Sequence, residues 1–134
     1  LLRNGLWRPA FVPYHWDTDT AGIGLAESFA DSYKKDNPDV QVGIIAQADG
    51  ETCLNQWMPG QPLYESAVSQ AKFAMRESEI KAILWHQGEN DSHFEEDANT
   101  YQQRFIKMIT QLRKDLGNEK LPIIVGELIA KRKH

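Results

Sequence analysis

A histidine, two carboxamides and two carboxylates crowd into one short run of this chain: His86, Gln87, Glu89, Asn90 and Asp91, with Gly88 between them. An imidazole moves protons, a carboxylate orients and charge-balances an imidazole, and a neutral carboxamide aims a fixed N–H dipole at an oxygen that is becoming negative. A second polar run, Gln47-Ala48-Asp49-Gly50-Glu51-Thr52, offers Gly50, whose backbone N–H can approach a ligand because no Cβ stands in the way. A backbone N–H and a neutral amide are the parts of an oxyanion hole, so these residue types suit the stabilisation of a developing negative oxygen.

Each of these residues also has a plainer use. Asp91 or Ser92 could cap a following helix, because Ser92-His93-Phe94-Glu95 has capping-box spacing. Gly50 could serve only as a turn residue. Trp57 and Trp85 suit packing better than they suit a substrate platform. His86 alone could be a hydrogen-bonded structural histidine. His86, Glu89, Asp91 and His93 could in principle gather round a metal, but their spacing matches no strong zinc pattern, and no metal or other cofactor is called for.

The elements that must position these runs are legible from periodicity. Ile83-Leu84-Trp85 ends a strand predicted over 81–85, and Val40 to Ala46 is β-branched enough for another, ending where the Gly50 run begins. Both polar runs then sit at carboxyl ends of strands, where open α/β sheets bind ligands. A helix is predicted from Ile23 to Lys35, with Ala26, Phe29, Ala30 and Tyr33 on one face and Asn37-Pro38 as its stop. A second runs from Leu63 to Ser78 on a stripe of Tyr64, Ala67, Val68, Ala71, Ala74 and Met75. A third follows the signature run as far as Leu116, with Ala98, Tyr101, Phe105, Ile109 and Leu112 inward and Gly117 as its end. Leu121 to Gly126 is a last buried strand, opened by Pro122. Asn4-Gly5 marks a tight turn in a small hairpin, and residues 17–22 form a polar loop. Helices alternating with strands predict an α/β fold: a parallel sheet with helices on both faces, a three-layer α/β/α sandwich with right-handed crossovers.

Length, 134 residues, suits one domain. The net charge of −4 gives no basic surface for nucleic acid, and the one basic run, Lys131-Arg132-Lys133, is short and terminal. One cysteine, Cys53, rules out an internal disulfide. No apolar run reaches the length of a membrane span, so no membrane partner is expected. The compartment stays open, with the cytoplasm a weak first choice.

Trp85-His86-Gln87-Gly88-Glu89-Asn90-Asp91 resembles the Trp-His-Gln-Gly-Glu-x-Asp signature of the carbohydrate acetyl esterases, the acetyl xylan esterase and sialate O-acetylesterase group of the SGNH hydrolases. Gly88-Glu89-Asn90-Asp91 also fits the wider superfamily's Gly-x-Asn-Asp block. Ala48 to Thr52, followed by Trp57, looks like its second block, with Glu51 where a second glycine is usual. Residues 15–26 and Leu121–Leu128 are similar to members of the same group. The resemblance implies a carboxylic ester hydrolase that removes O-acetyl groups from sugars through a serine acyl-enzyme. It places Gly50 and Gln87 in the oxyanion hole with Asn90 as a competing donor, and makes Glu89 the acid of a Ser-His-Glu triad. Other members take that acid from an Asp just before a C-terminal His. His86, Trp57, His15 and Asp91 are expected to contact an acetylated carbohydrate. The group's nucleophile motif, Gly-Gln-Ser-Asn, and its C-terminal Asp-His segment are not in the sequence. The resemblance implies a flavodoxin-like sheet, and the expectation is one SGNH-like domain truncated at both ends and inactive alone. The competing reading is a non-catalytic carbohydrate-binding or scaffold domain of the same fold.

Overall fold

Asn4 and Gly5 both take positive φ, 50° and 72°, and close a two-residue type I′ hairpin between β1 (Leu2–Arg3) and β2 (Leu6–Trp7). This is the turn the Asn-Gly pair predicts. The computed structural model describes residues 1–11, 14, 15, 19 and 24–128. Trp16, most of the loop predicted at 17–22, Ile23 and the basic run 131–133 lie outside the described residues. The chain divides into two units, Leu1–Gly50 and Glu51–His134.

In the first unit, α1 (Ala26–Asp36) starts three residues later than expected and is stopped at Asn37, whose side-chain amide donates to Tyr33 O at 2.9 Å. Its predicted face is right but weakly covered. Ala26, Phe29, Ala30 and Tyr33 are all half-buried, and no residue of the helix is fully buried. The strand expected at 40–46 shrinks to one parallel bridge between Leu2 and Ile45, with Leu2 N donating to Ile44 O at 2.8 Å. β-propensity reflects fit to a pleated, half-buried surface. Among the described residues the hairpin pairs with the segment through one bridge only, and Val40 stays 44% exposed.

The second unit holds the well-packed core: Leu54, Trp57, Tyr64, Val68, Ala71, Met108, Ile109, Leu112, Leu116 and Leu121. α2 (Pro62–Ala74) begins with proline at its first turn, where no N–H is needed. It ends before the predicted Ser78 because its last turn tightens to three-residue spacing and the Ser78 hydroxyl takes Ala74 O at 2.7 Å. Met75, expected inward, is therefore exposed. α3 (Glu95–Asp115) lays Met108, Ile109 and Leu112 on α2, while Tyr101 and Phe105 are half-buried and Ala98 is exposed. Gly117, at φ 68°, reverses the chain, and Asn118 N returns to Arg113 O at 2.9 Å. The Tyr64 hydroxyl donates to Asp115 at 2.5 Å and ties the two helices. That bond, and a second from Gln111, hold the Asp115 carboxyl below its usual range.

β3 (Ile83–Trp85) and β4 (Ile123–Val125) pair in parallel, Ile83 opposite Ile123, with Pro122 O accepting from Ile83 N at 2.9 Å just before the ladder. The parallel pair, with α3 connecting its strands, is the α/β unit that alternation predicts. The sheet is smaller than expected: among the described residues β3 pairs with β4, and Ile124 and Val125 remain about half exposed. The class is mixed α/β. No helix among the described residues is long and apolar enough to cross a membrane.

Candidate active site

The signature run is anchored on its first residue. Trp85 sits edge-on to Trp57 at 5.7 Å and against Phe105 at 5.6 Å, and its indole N–H reaches the Tyr101 hydroxyl at 3.1 Å. The chain then turns at Gly88, whose φ of 138° is a conformation L side chains rarely adopt. A Cβ there would stand 3.2 Å from Leu128 Cδ1 and 3.5 Å from the Tyr101 ring. Gly88→Ala is expected to cost about 1–3 kcal/mol from backbone strain alone, read as a lowered denaturant midpoint. An unchanged midpoint would show that this turn is relaxed.

The next side chains are held by partners far away in sequence. Gln87 Nε2 donates to Thr52 O and to Asp91 Oδ2, each at 2.8 Å, while its Oε1 accepts from the Tyr101 hydroxyl at 2.9 Å. A carbonyl and a carboxylate only accept, so the NH2 group must face them. Both N–H bonds of Gln87 are thereby committed, and its side chain as placed has none left for an oxyanion.

Asp91 is 1% exposed. Its Oδ2 accepts from Leu54 N at 2.8 Å as well as from Gln87, and its Oδ1 accepts from Arg104 Nη2 at 3.0 Å. Asp91 therefore does not cap α3; its carboxylate is spent on these three N–H donors. Nor does the Ser92 capping box form. Ser92 Oγ donates to Glu89 O at 2.6 Å, residues 91–93 make one 3-10 turn, and Phe94 precedes α3 without a side-chain cap.

Glu89 and His86 differ from these. Both are exposed, the side chain of Glu89 68% so, with Glu89 Oε1 lying 4.0 Å from His86 Nε2. The His86 ring rests on Gly126, where a Cβ would come within 3.2 Å. Asn90 Nδ2 donates to Glu51 O, and that one bond leaves its second N–H uncommitted among the described contacts. Glu51 itself has φ 61°, a conformation glycine adopts freely.

The full length of the chain, residues 1–134, matches the family model for carbohydrate esterases of the sialic acid-specific acetylesterase type. The chain belongs to this carbohydrate esterase family. It is 36% identical over 124 residues to a probable carbohydrate esterase of Arabidopsis thaliana, covering 88% of this chain and 48% of that protein. The X-ray structure of that Arabidopsis protein superposes with a TM-score of 0.85 at 34% identity, over 90% of this chain and 52% of the other. The chain thus spans about half the length of the relative it matches.

The remaining expected site residues fall in one unit or the other. Trp57 is 7% exposed, packs in the core of the second unit and donates its indole N–H to Thr52 Oγ1 at 2.9 Å. Gly50 and His15 belong to the first unit, Gly50 exposed at its end and His15 against Gly24. Burial and the nearby Asp91 charge push the Cys53 thiol up. Among the described residues no three His, Cys, Asp or Glu side chains gather as a metal group would. Sequence reasoning missed Arg104 and the polar role of Tyr101. The available signal was a cation, Arg104, on the inward stripe between Tyr101 and Phe105. A cation there needs a buried anion.

Proposed function

We propose that this chain carries part of the active site of an esterase that removes O-acetyl groups from a carbohydrate of the acetyl xylan or sialic acid type through a serine acyl-enzyme. A serine attacks the acetyl carbonyl, a histidine takes its proton and returns it to the departing sugar hydroxyl, and water then releases acetate. The serine and histidine are proposed to come from the whole protein outside residues 1–134. The three-layer α/β/α sandwich, one domain in the whole protein, belongs to the same proposal. The half-exposed apolar residues Ile124 and Val125 support it, since such a strand calls for further sheet or helix over it.

One observation carries the assignment of roles. Gln87 and Asp91 are committed to internal partners, whereas Asn90 keeps an N–H and Glu89 keeps an open carboxylate. Asn90 is accordingly the side-chain oxyanion donor and Glu89 the acid that orients the histidine. Gly50 keeps the backbone-donor role that the resemblance implies, and His86 borders the sugar.

The test is acetate release by the whole protein from acetylated xylo-oligosaccharides and from O-acetylated sialic acid. Asn90→Ala is expected to lower kcat by about 10²–10³-fold with KM little changed, because an oxyanion donor acts in the transition state. Binding of both sugars without acetate release would instead support a carbohydrate-binding domain. Full turnover in a folded Asn90→Ala variant would remove Asn90 from the hole.

A further inference from the structure

We propose that Arg104 is a positioning residue for deacetylation, acting through Asp91 on the two loops that carry the site. This rests on the reading of Asn90 and Glu89 as groups at the reacting centre. The Arg104 guanidinium touches three separate segments. Its Nε donates to Thr100 Oγ1 at 3.1 Å, Nη1 to Asn55 Oδ1 at 2.9 Å, and Nη2 both to Asp97 O at 2.8 Å and to Asp91 Oδ1 at 3.0 Å. A second contact, Nη2 to Asp97 Oδ1 at 3.4 Å, adds charge to the same edge. Arg104 is thus fixed on α3 and reaches both the 54–57 turn and the signature loop.

Asp91 passes that fixed position onward. Its other oxygen holds Leu54 N and Gln87 Nε2, and Gln87 in turn holds Thr52 O. Thr52 follows Glu51, the residue from whose carbonyl the Asn90 amide hangs. Moving the Asp91 carboxylate therefore moves both ends of the Asn90 hydrogen bond. A buried ion pair is weak evidence for stability, since apolar residues of equal volume often serve as well. What it supplies here is a planar fork with several fixed directions, which no point charge reproduces. A misplacement of about 1 Å at a reacting group can cost about 10²-fold in rate.

The experiment compares wild type, Arg104→Lys and Asn55→Ala in the whole protein, with p-nitrophenyl acetate as the probe. Turnover is normalised to sites titrated with a fluorophosphonate, so unfolded protein drops out. Arg104→Lys keeps the charge but loses the fork. The expected result is a kcat lowered about 10-fold or more per titrated site with KM within about 2-fold. Asn55→Ala removes the exposed Nη1 partner while leaving Asp91 paired, and serves if Arg104→Lys does not fold. It is expected to lower kcat about 2-fold to 5-fold while the melting temperature barely moves, as for a surface substitution within about 0.5 kcal/mol. Unchanged kcat per titrated site in Arg104→Lys, or in Asn55→Ala where the lysine variant is unfolded, overturns the positioning role. A wild type without esterase activity overturns the proposed function instead, so the two failures are distinguishable.

Discussion

Asp91→Ala is expected to destabilise the protein by about 3–5 kcal/mol, the cost of removing one partner from a buried ion pair. The carboxylate is 1% exposed and takes N–H bonds from Leu54, Gln87 and Arg104. Its removal leaves a guanidinium that is only 17% exposed with the Asp97 carboxylate, 3.4 Å away, as its remaining charged neighbour among the described residues, and orphans the buried Leu54 N–H. Asp91→Asn separates charge from shape. The amide keeps the volume but turns an N–H toward one of three donors, so most of the loss should persist. The measurement is the urea midpoint of both variants in one buffer, with the slope checked for two-state behaviour. A loss below about 1 kcal/mol in Asp91→Ala would mean that the carboxylate is not the tie between the loops.

That expectation is several times what the sequence suggested. Capping spacing at Ser92 to Glu95 favoured Asp91 as a residue at a helix threshold, worth about 1 kcal/mol from cap and dipole terms. Capping rules are local, and they lost to a partner 37 residues back, Leu54, and another 13 residues ahead, Arg104. The same holds for the choice between Gln87 and Asn90. Both are neutral carboxamides beside Gly88, and their types cannot rank them. What separates them is which N–H bonds are already taken, by Thr52 and Glu51, 35 and 39 residues away.

The fold was legible where a local pattern and its tertiary use agree. The Asn4-Gly5 hairpin, the three helices, the Gly117 stop and the β3 and β4 segments all follow from turn chemistry and periodicity. The segment at 40–46 was not, because a strand exists only with a partner, and β-branched Val40 and Val42 do not create one. The edges of α2 and α3 were set by side chains competing for backbone groups, Ser78 at one helix and Ser92 before the other. Glu51 was legible in a different way. The resemblance expects glycine there, and φ 61° is the physical reason.

Glu89→Gln in the whole protein should lower kcat on the order of 10⁴-fold, as loss of a triad acid does, while leaving stability within about 0.5 kcal/mol. The two halves of this expectation come from separate facts. The Glu89 side chain is 68% exposed and has no partner closer than His86 at 4.0 Å among its charged neighbours, so little in the fold depends on its charge. Its place, one residue past the Gly88 turn and beside Asn90, is where an imidazole from the rest of the protein would meet a carboxylate. Gln keeps the length and can accept at Oε1, but it carries no charge to stabilise the imidazolium that forms as the serine attacks. The check is kcat on an acetylated sugar and the thermal midpoint, measured together for Glu89→Gln and Asp91→Asn. Low turnover with a wild-type midpoint in the first, and a lowered midpoint in the second, is the expected pair. Full turnover in Glu89→Gln would place the acid elsewhere, on the Asp that other members of the family carry before their C-terminal histidine. A collapse of the midpoint in Glu89→Gln would make Glu89 structural and leave the acid to be sought in the same segment.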